Sequence, residues 1–482
     1  MIEFETALAA ILPSHALLTT VEEKRPYECD GLSAYRQVPR VVVLPETREE
    51  VEAIVKHCAD YGVPIVARGA GTGLSGGALP LEDGCLLSLA KFNRIIHIDP
   101  DNRIAVVEPG VRNIAISEAV AAHGLYYAPD PSSQIACSIG GNVAENSGGV
   151  HCLKYGLTVH NVLKVEIITA EGDWLTLGST ALDSPGYDLL AMINGSEGML
   201  GIIFQITVKL LPSPPVARVL LGAFDQVQEA ADAVAGVIAA GIIPAGMEMM
   251  DRLAIGAAED FCHAGYPRDA AAILLCELDG TTSEVDSEID DVRSIFERHN
   301  CTEARVSTTE EERQRFWLGR KSAFPALGRI SPDYYCIDGT IPRRHLAFVL
   351  QRIAELSQEY GLLVANVFHA GDGNLHPLIA YDGNDDGQLE AAEAIGGKIL
   401  ELCVEVGGTV TGEHGVGVEK LNQMCVQFSE AELNVFHSIK DAFDPAGILN
   451  PGKAVPTLHR CAEFGAMHVH GGKLPHPELE RF

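Results

Sequence analysis

The sequence predicts an α+β protein of more than one domain, on three observations. At 482 residues the chain exceeds what a single hydrophobic core organises, so two or three domains are expected. Short apolar runs alternate with amphipathic stretches over residues 40–67 and again over 219–368, the pattern of repeated strand–helix–strand units. Ser213-Pro214-Pro215 interrupts that alternation and reads as a domain boundary.

The first element is a short buried strand at 40–45, carried by Val41, Val42, Val43 and Leu44. Thr47 follows with Glu50 three residues on, a capping box that opens a helix. Val51, Ile54, Val55 and Cys58 recur at helical spacing and give that helix its apolar stripe. A second strand is predicted at 63–67. Strand-like runs continue at 85–89, 104–107, 162–169 and 202–211, with a helical stretch at 114–123. Beyond the boundary the spacing predicts a strand at 219–224, a helix at 226–240, a strand at 271–278 and an acidic helix at 283–299. A helix at 346–359 and a strand at 362–368 complete the set. The expected domains are 1–215, 216–445 and a C-terminal segment at 446–482, whose His468, His470 and His476 read as structural or interface residues.

Composition excludes several classes. A formal net charge of -31 repels nucleic acid phosphates and anionic lipid headgroups. A small anionic substrate would therefore need local positive charge. The twelve cysteines include no C-x-x-C pair, which argues against an iron–sulfur cluster or structural zinc in this chain. Scattered free thiols suit a reducing cytosol. The N-terminus carries neither the basic nor the apolar region of a signal peptide. The longest apolar stretch, 233–250, is broken by glycines, Pro244 and Glu248, so no membrane span is expected. Any membrane association would come through partners.

Three segments are rich in glycine. Arg68-Gly69-Ala70-Gly71-Thr72-Gly73-Leu74-Ser75 directly follows a predicted strand. Its spacing is neither the G-x-G-x-x-G dinucleotide fingerprint nor a P-loop. Glycines there allow close backbone approach and an amide nest for an anion. The second segment spans 129–149 and the third 195–203; both mix glycine with hydroxyl and amide side chains suited to a large polar ligand. A different chemistry stands at the other end of the chain. His369 and His376, seven residues apart, and Glu413 make a three-ligand set for a divalent metal with an open position. His414 lies beside them as a candidate base.

These blocks, in this order and separation, resemble the FAD-binding domain of the vanillyl-alcohol oxidase type. The His369, His376, Glu413, His414 pattern resembles the FAD-linked 2-hydroxyacid dehydrogenase family, and the match is closest to its glycolate oxidase branch. Supporting stretches run from Pro26 to Ser33, from Arg329 to Tyr335 and from Leu458 to Phe464. The resemblance implies a two-part FAD domain, an α+β cap carrying the metal, and a C-terminal segment that returns to the flavin. It implies that 69–75 cradles the pyrophosphate, with Arg68, Gly69, Gly71, Thr72, Gly73, Leu74 and Ser75. Pro131, Ser132, Ser138, Gly141, Asn142 and Gly148 would line the cofactor, Glu197, Gly201 and Ile202 its adenosine side, and Asn450 would approach from the C-terminus. No histidine lies in the first glycine loop, so bound but not covalently tethered FAD is expected.

The same resemblance assigns Arg320 to the substrate carboxylate, a task suited to its two-pronged guanidinium. His414 would take the hydroxyl proton and His369, His376 and Glu413 would hold zinc, manganese or iron. The hydroxyglutarate branch carries lysine and asparagine near Cys336 and Leu378 to meet a second carboxylate. Their absence here favours a small monocarboxylate, glycolate first, with a stand-alone D-lactate dehydrogenase as the alternative. Reduced flavin must pass its electrons on, which implies an iron–sulfur subunit and a flavin-binding relative as partners.

Overall fold

The computed structural model describes residues 2–181 and 185–457. The expected tail motif from Leu458 to Phe464, and His468, His470 and His476, lie outside the described residues.

The N-terminal part holds two sheets. The first has strand order Leu17–Leu18, Val41–Val43, Cys85–Ser88, Ile65–Arg68. Its last three strands run parallel, with Cys85 in register with both Val41 and Ile65. Every residue of Val41–Val43 is buried, as a β-branched run covered on both faces must be. The crossover between strands is the helix Arg48–Tyr61, capped by Thr47 and Glu50 as the sequence predicts and ended by Gly62 at φ +63°. Its Val51, Ile54, Val55 and Cys58 are buried. Leu449 pairs in parallel with Ile65, so the chain's far end closes this sheet. The second sheet is antiparallel, ordered Ile95–Asp99, Ile104–Val107, Ile202–Lys209, Val162–Ile168, Trp174–Gly178, and shares a core with the helix Ile139–Glu145.

The C-terminal part is built on a nine-stranded antiparallel sheet whose central strands are Val216–Phe224, Ala272–Gly280, Gly246–Asp251 and Val364–His369. Side chains alternate between its faces, as strand geometry requires. Leu220, Phe224, Leu274 and Cys276 meet the helices Val227–Ala239, Thr282–Arg298, Leu346–Tyr360 and Gln388–Glu405. Val219, Leu221, Ile273 and Leu275 meet the helices Arg252–Cys262, Glu310–Lys321 and Ala323–Leu327.

Two elements differ from the sequence expectation. The strand Gly246–Asp251, beyond the glycine and proline that stop the predicted helix, was not among the expected elements. The helix Glu310–Lys321, capped by Thr309, has too weak an apolar stripe to be read by periodicity. Among the described residues ten cysteines are free thiols, but Cys425 is disulfide-bonded, against the expectation of thiols throughout. No helix among the described residues is long and apolar enough to cross a membrane.

Candidate active site

One cavity of about 390 Å³ joins the two parts of the chain. Of the expected cofactor residues, Arg68, Gly69, Gly71, Thr72, Gly73, Leu74, Pro131, Ser132, Ser138, Gly141, Asn142, Glu197, Gly201 and Ile202 line it. His376, Glu413 and His414 line the same cavity, with Lys321, Phe324 and Pro325. The glycine segments and the histidine–carboxylate cluster, about 170 residues or more apart in sequence, therefore face one space.

The first glycine loop is built for backbone contact. Gly71 sits at φ +69°, and a Cβ there would run into the Arg68 guanidinium. That guanidinium donates to the carbonyls of Cys29 at 2.6 Å and Tyr27 at 3.3 Å, packing the N-terminal segment beneath the loop. A Cβ at Gly69 would overlap Ser138 Oγ, which brings the first and second glycine segments together. Among the described residues, no other group of the chain takes up the backbone amides from Ala70 to Leu74. They are left for an anionic ligand, the use to which such nests are put.

Three expected cofactor residues sit behind the cavity wall. Ser75 accepts the amides of Val418 and Glu419 on its carbonyl, at 3.0 and 3.2 Å. Gly148 abuts the other site: a Cβ there would lie 2.6 Å from Glu413 Oε2. Asn450, at φ +43°, donates its amide to the carbonyls of Gly77 and Glu197 at 2.9 and 2.7 Å. It clips the returning chain to the first and third glycine segments. Glu197 lines the cavity, yet both its carboxylate oxygens are used, accepting the amides of Val416 and Gly417 at 2.7 Å each.

The metal-ligand candidates converge. His369 ends the strand Val364–His369, and His376 follows the short strand Asn374–Leu375 that turns back on it. Glu413 Oε1 lies 3.3 Å from His369 Nε2, 3.0 Å from His376 Nε2 and 3.8 Å from His414 Nε2. His414 Nδ1 is buried with no hydrogen-bond partner, and His376 Nε2 meets Glu413 Oε1 at 3.0 Å outside hydrogen-bond geometry. Two imidazoles and a carboxylate with an unmet lone pair are the donor set of a divalent cation, so the residues fit one.

Electrostatics at this cluster depend on residues the sequence reading passed over. Glu248 is the cross-strand partner of His369 in the sheet register. Its Oε1 accepts from His369 Nδ1 at 2.6 Å, which leaves Nε2 aimed at Glu413. Its Oε2 accepts from Arg320 Nε at 2.8 Å, with Nη2 also 2.8 Å away. Arg320 is 1% exposed and does not line the cavity; its neighbour Lys321 does. Burial opposes charge on His369, but Glu248 and Glu413 outweigh it and hold the imidazole well above its ordinary range. Burial likewise opposes the Glu413 carboxylate, and His369 and His376 hold it well below. A cation taking the place of the His369 proton would meet the same negative charge.

Asp338 anchors the loop that carries Glu413 and His414. Its carboxylate accepts the amides of Gly412 at 3.0 Å, Glu413 at 3.1 Å and His414 at 2.9 Å, and the Thr411 hydroxyl at 2.6 Å. Asn374 and Lys420 donate to it at 3.0 Å each. Asp338 and Lys420 are fully buried. Burial disfavours the Asp338 charge, yet Lys420, His414 and His376 hold its pKa well below the usual carboxylate range. Burial pushes His414 down to about 4, so its imidazole is neutral at physiological pH. Glu248 carried a sequence signal, a lone carboxylate inside the apolar run 246–250, which can be buried only with a partner.

The sequence matches families that agree with this geometry. Residues 39–178 match the FAD binding domain family, and residues 213–454 match the family described as FAD linked oxidases, C-terminal domain. The chain belongs to the FAD-linked oxidases and is an FAD-dependent oxidoreductase. It is 66% identical over 476 residues to the glycolate oxidase subunit GlcD of Escherichia coli strain K12, covering 99% of this chain and 95% of that one. It is 34% identical to the D-lactate dehydrogenase of Archaeoglobus fulgidus, over 87% of this chain and 92% of that one. Among solved structures, p-cresol methylhydroxylase with substrate bound superposes with a TM-score of 0.78 at 20% identity, over 95% of this chain and 97% of that one. Alkyldihydroxyacetonephosphate synthase does so with a TM-score of 0.73 at 19% identity, over 94% and 85%. The fold is that of the vanillyl-alcohol-oxidase-type FAD enzymes, as expected.

Proposed function

We propose that this chain oxidises a small 2-hydroxy acid, glycolate to glyoxylate, with non-covalent FAD and a divalent cation. The observation that carries the reading is the single cavity lined by the glycine loop, His376, Glu413 and His414. The names of similar proteins, a glycolate oxidase subunit at 66% identity and a D-lactate dehydrogenase at 34%, point to the same substrate class. Oxidation of D-lactate is the second reading, favoured by the latter.

In this reading FAD supplies the hydride-accepting chemistry when bound. The amides of 69–74 would hold its pyrophosphate, and the segments around Ser138 and Gly201 would wall its other parts. His369, His376 and Glu413 hold the cation, which supplies charge that favours loss of the hydroxyl proton. Glu248 fixes the His369 tautomer so that Nε2 faces the cation. His414, kept neutral by burial, takes the hydroxyl proton, and Asp338 holds its backbone in place. The Arg320 guanidinium, held behind the cavity wall with Nε and Nη2 against Glu248, supplies positive charge on that side of the site. Lys321 on the cavity wall adds the second local positive charge that so acidic a chain requires.

That its relative in Escherichia coli is a glycolate oxidase subunit supports companion proteins. We infer an iron–sulfur subunit as electron acceptor and a flavin-binding relative beside it, reached from a cytoplasmic location. The test is anaerobic bleaching of the flavin by glycolate, D-lactate, L-lactate and D-2-hydroxyglutarate in parallel. Fastest bleaching by glycolate is expected; bleaching by D-lactate alone selects the second reading, and none by any of the four refutes both. Affinity capture of the native protein is expected to bring down an iron–sulfur companion, and its isolation alone refutes the partner assignment.

A further inference from the structure

Cys336 ends the strand Asp333–Cys336, which pairs with Pro377–Tyr381. Ligand atoms of Cys336, His376 and His414 all lie within 4.8 Å of one another. The His376 and His414 rings are stacked, centroids 4.9 Å apart at 14°. Cys336 is buried, and its thiol lies 3.7 Å from the Ile337 carbonyl. His414 Nδ1 is buried without a hydrogen-bond partner, and His376 Nε2 lies 3.0 Å from Glu413 Oε1 outside hydrogen-bond geometry. Among the described residues no other cysteine joins such a cluster.

We propose that Cys336, His376 and His414 form a second cation position, selective for a strongly thiophilic divalent ion such as Cd²⁺, whose occupation switches the enzyme off. A sulfur and two imidazole nitrogens are a tetrahedral donor set with one open position. Bond lengths of about 2.0–2.3 Å place such donors about 3.3–3.7 Å apart, a contraction of roughly 1 Å that side-chain rotation supplies. The two cation positions exclude each other. His376 Nδ1 is turned to the Ile337 carbonyl at 3.4 Å, so Nε2 alone serves either His369 and Glu413 or Cys336 and His414. On binding, the Cys336 S–H bond breaks, a sulfur–metal bond forms and the proton passes to water, with no change of oxidation state. The lone pair that His414 would use for the substrate proton is then engaged. Only this last consequence rests on the function proposed above.

The experiment adds one equivalent of Cd²⁺ per FAD-loaded chain and reads two signals. The first is the cadmium X-ray absorption edge of the wild-type protein. One sulfur with two imidazole nitrogens is expected; a shell of nitrogen and oxygen alone, or of several sulfurs, overturns the site. The second is turnover with glycolate across a Cd²⁺ series, each variant normalised to its own activity without Cd²⁺. Cys336→Ser and Cys336→Ala are expected to need at least about tenfold more Cd²⁺ for half inhibition, the low end of what a lost metal contact costs. Equal sensitivity of wild type and both variants overturns the inhibitory role. Failure of glycolate turnover in the untreated protein strikes the proposed substrate instead and leaves the absorption result to decide the site.

Discussion

Replacing Glu248 with glutamine tests how the cation site is poised. The carboxylate accepts two hydrogen bonds, from His369 Nδ1 at 2.6 Å and from Arg320 Nε at 2.8 Å. Glutamine offers one oxygen and one NH₂ in the same space. Arginine cannot give up a proton, so the oxygen must face Arg320 and the NH₂ must face His369. His369 then accepts on Nδ1 and carries its proton on Nε2, the atom aimed at the cation. Disrupting the group that sets a ligand's tautomer costs about 10–100-fold in metal affinity, or about 1.4–2.7 kcal/mol. Calorimetric titration of Mn²⁺ into metal-free, FAD-loaded Glu248→Gln measures it, with flavin content and the melting curve as controls for folding. A folded Glu248→Gln that binds within twofold of wild type refutes the reasoning. Glu248→Ala is a harsher change. It strands the buried Arg320 charge and is expected to cost about 3–5 kcal/mol of stability.

Other predictions follow from single contacts. Gly71→Ala combines a left-handed backbone, worth about 1–2 kcal/mol, with overlap of the Arg68 guanidinium; the flavin-to-protein ratio after gel filtration is expected to drop well below that of wild type, and an unchanged ratio contradicts the loop assignment. Asp338→Asn leaves Lys420 buried beside a neutral amide and weakens the anchor of 411–414, so chemical denaturation is expected to show a loss of about 3 kcal/mol or more; a loss under 1 kcal/mol contradicts it. His151 bridges Asp130 at 2.8 Å and Glu277 at 3.1 Å, and although burial opposes it, those carboxylates raise its pKa from 6.5 to about 10. Its stabilising proton is fully present below pH 6.5 and lost as pH rises through about 10. The melting temperature of wild type should therefore fall more steeply over that interval than that of His151→Gln; parallel slopes contradict the bridge.

Local chemistry made much of the fold legible in advance. The Thr47 and Glu50 capping box and the stripe from Val51 to Cys58 define the helix Arg48–Tyr61 without tertiary information. Strand ends were less certain: the run expected at 271–278 is Ala272–Gly280, because pairing with all of Val216–Phe224 extends it. The strand Gly246–Asp251 was hidden because both its faces are covered, so it lacks polar alternation. The site divides in the same way. His369, His376 and Glu413 stand out by residue type, and the fold brings them together. Glu248, Asp338 and Lys420 act through contacts 36 to 121 residues apart, which no local pattern encodes. Arg320 and Lys321 are adjacent in sequence, but one lies buried against Glu248 and the other lines the cavity. Only the packing of the helix Glu310–Lys321 decides which is which.

Anomalous diffraction at the metal edge, from crystals of the FAD-loaded enzyme, tests most directly whether cofactor and cation share the cavity. A single peak bonded to His369 Nε2, His376 Nε2 and Glu413, facing the isoalloxazine ring across the space beside His414, is the predicted result. A flavin ring turned away from these histidines, or a peak that none of the three residues touches, would contradict the account.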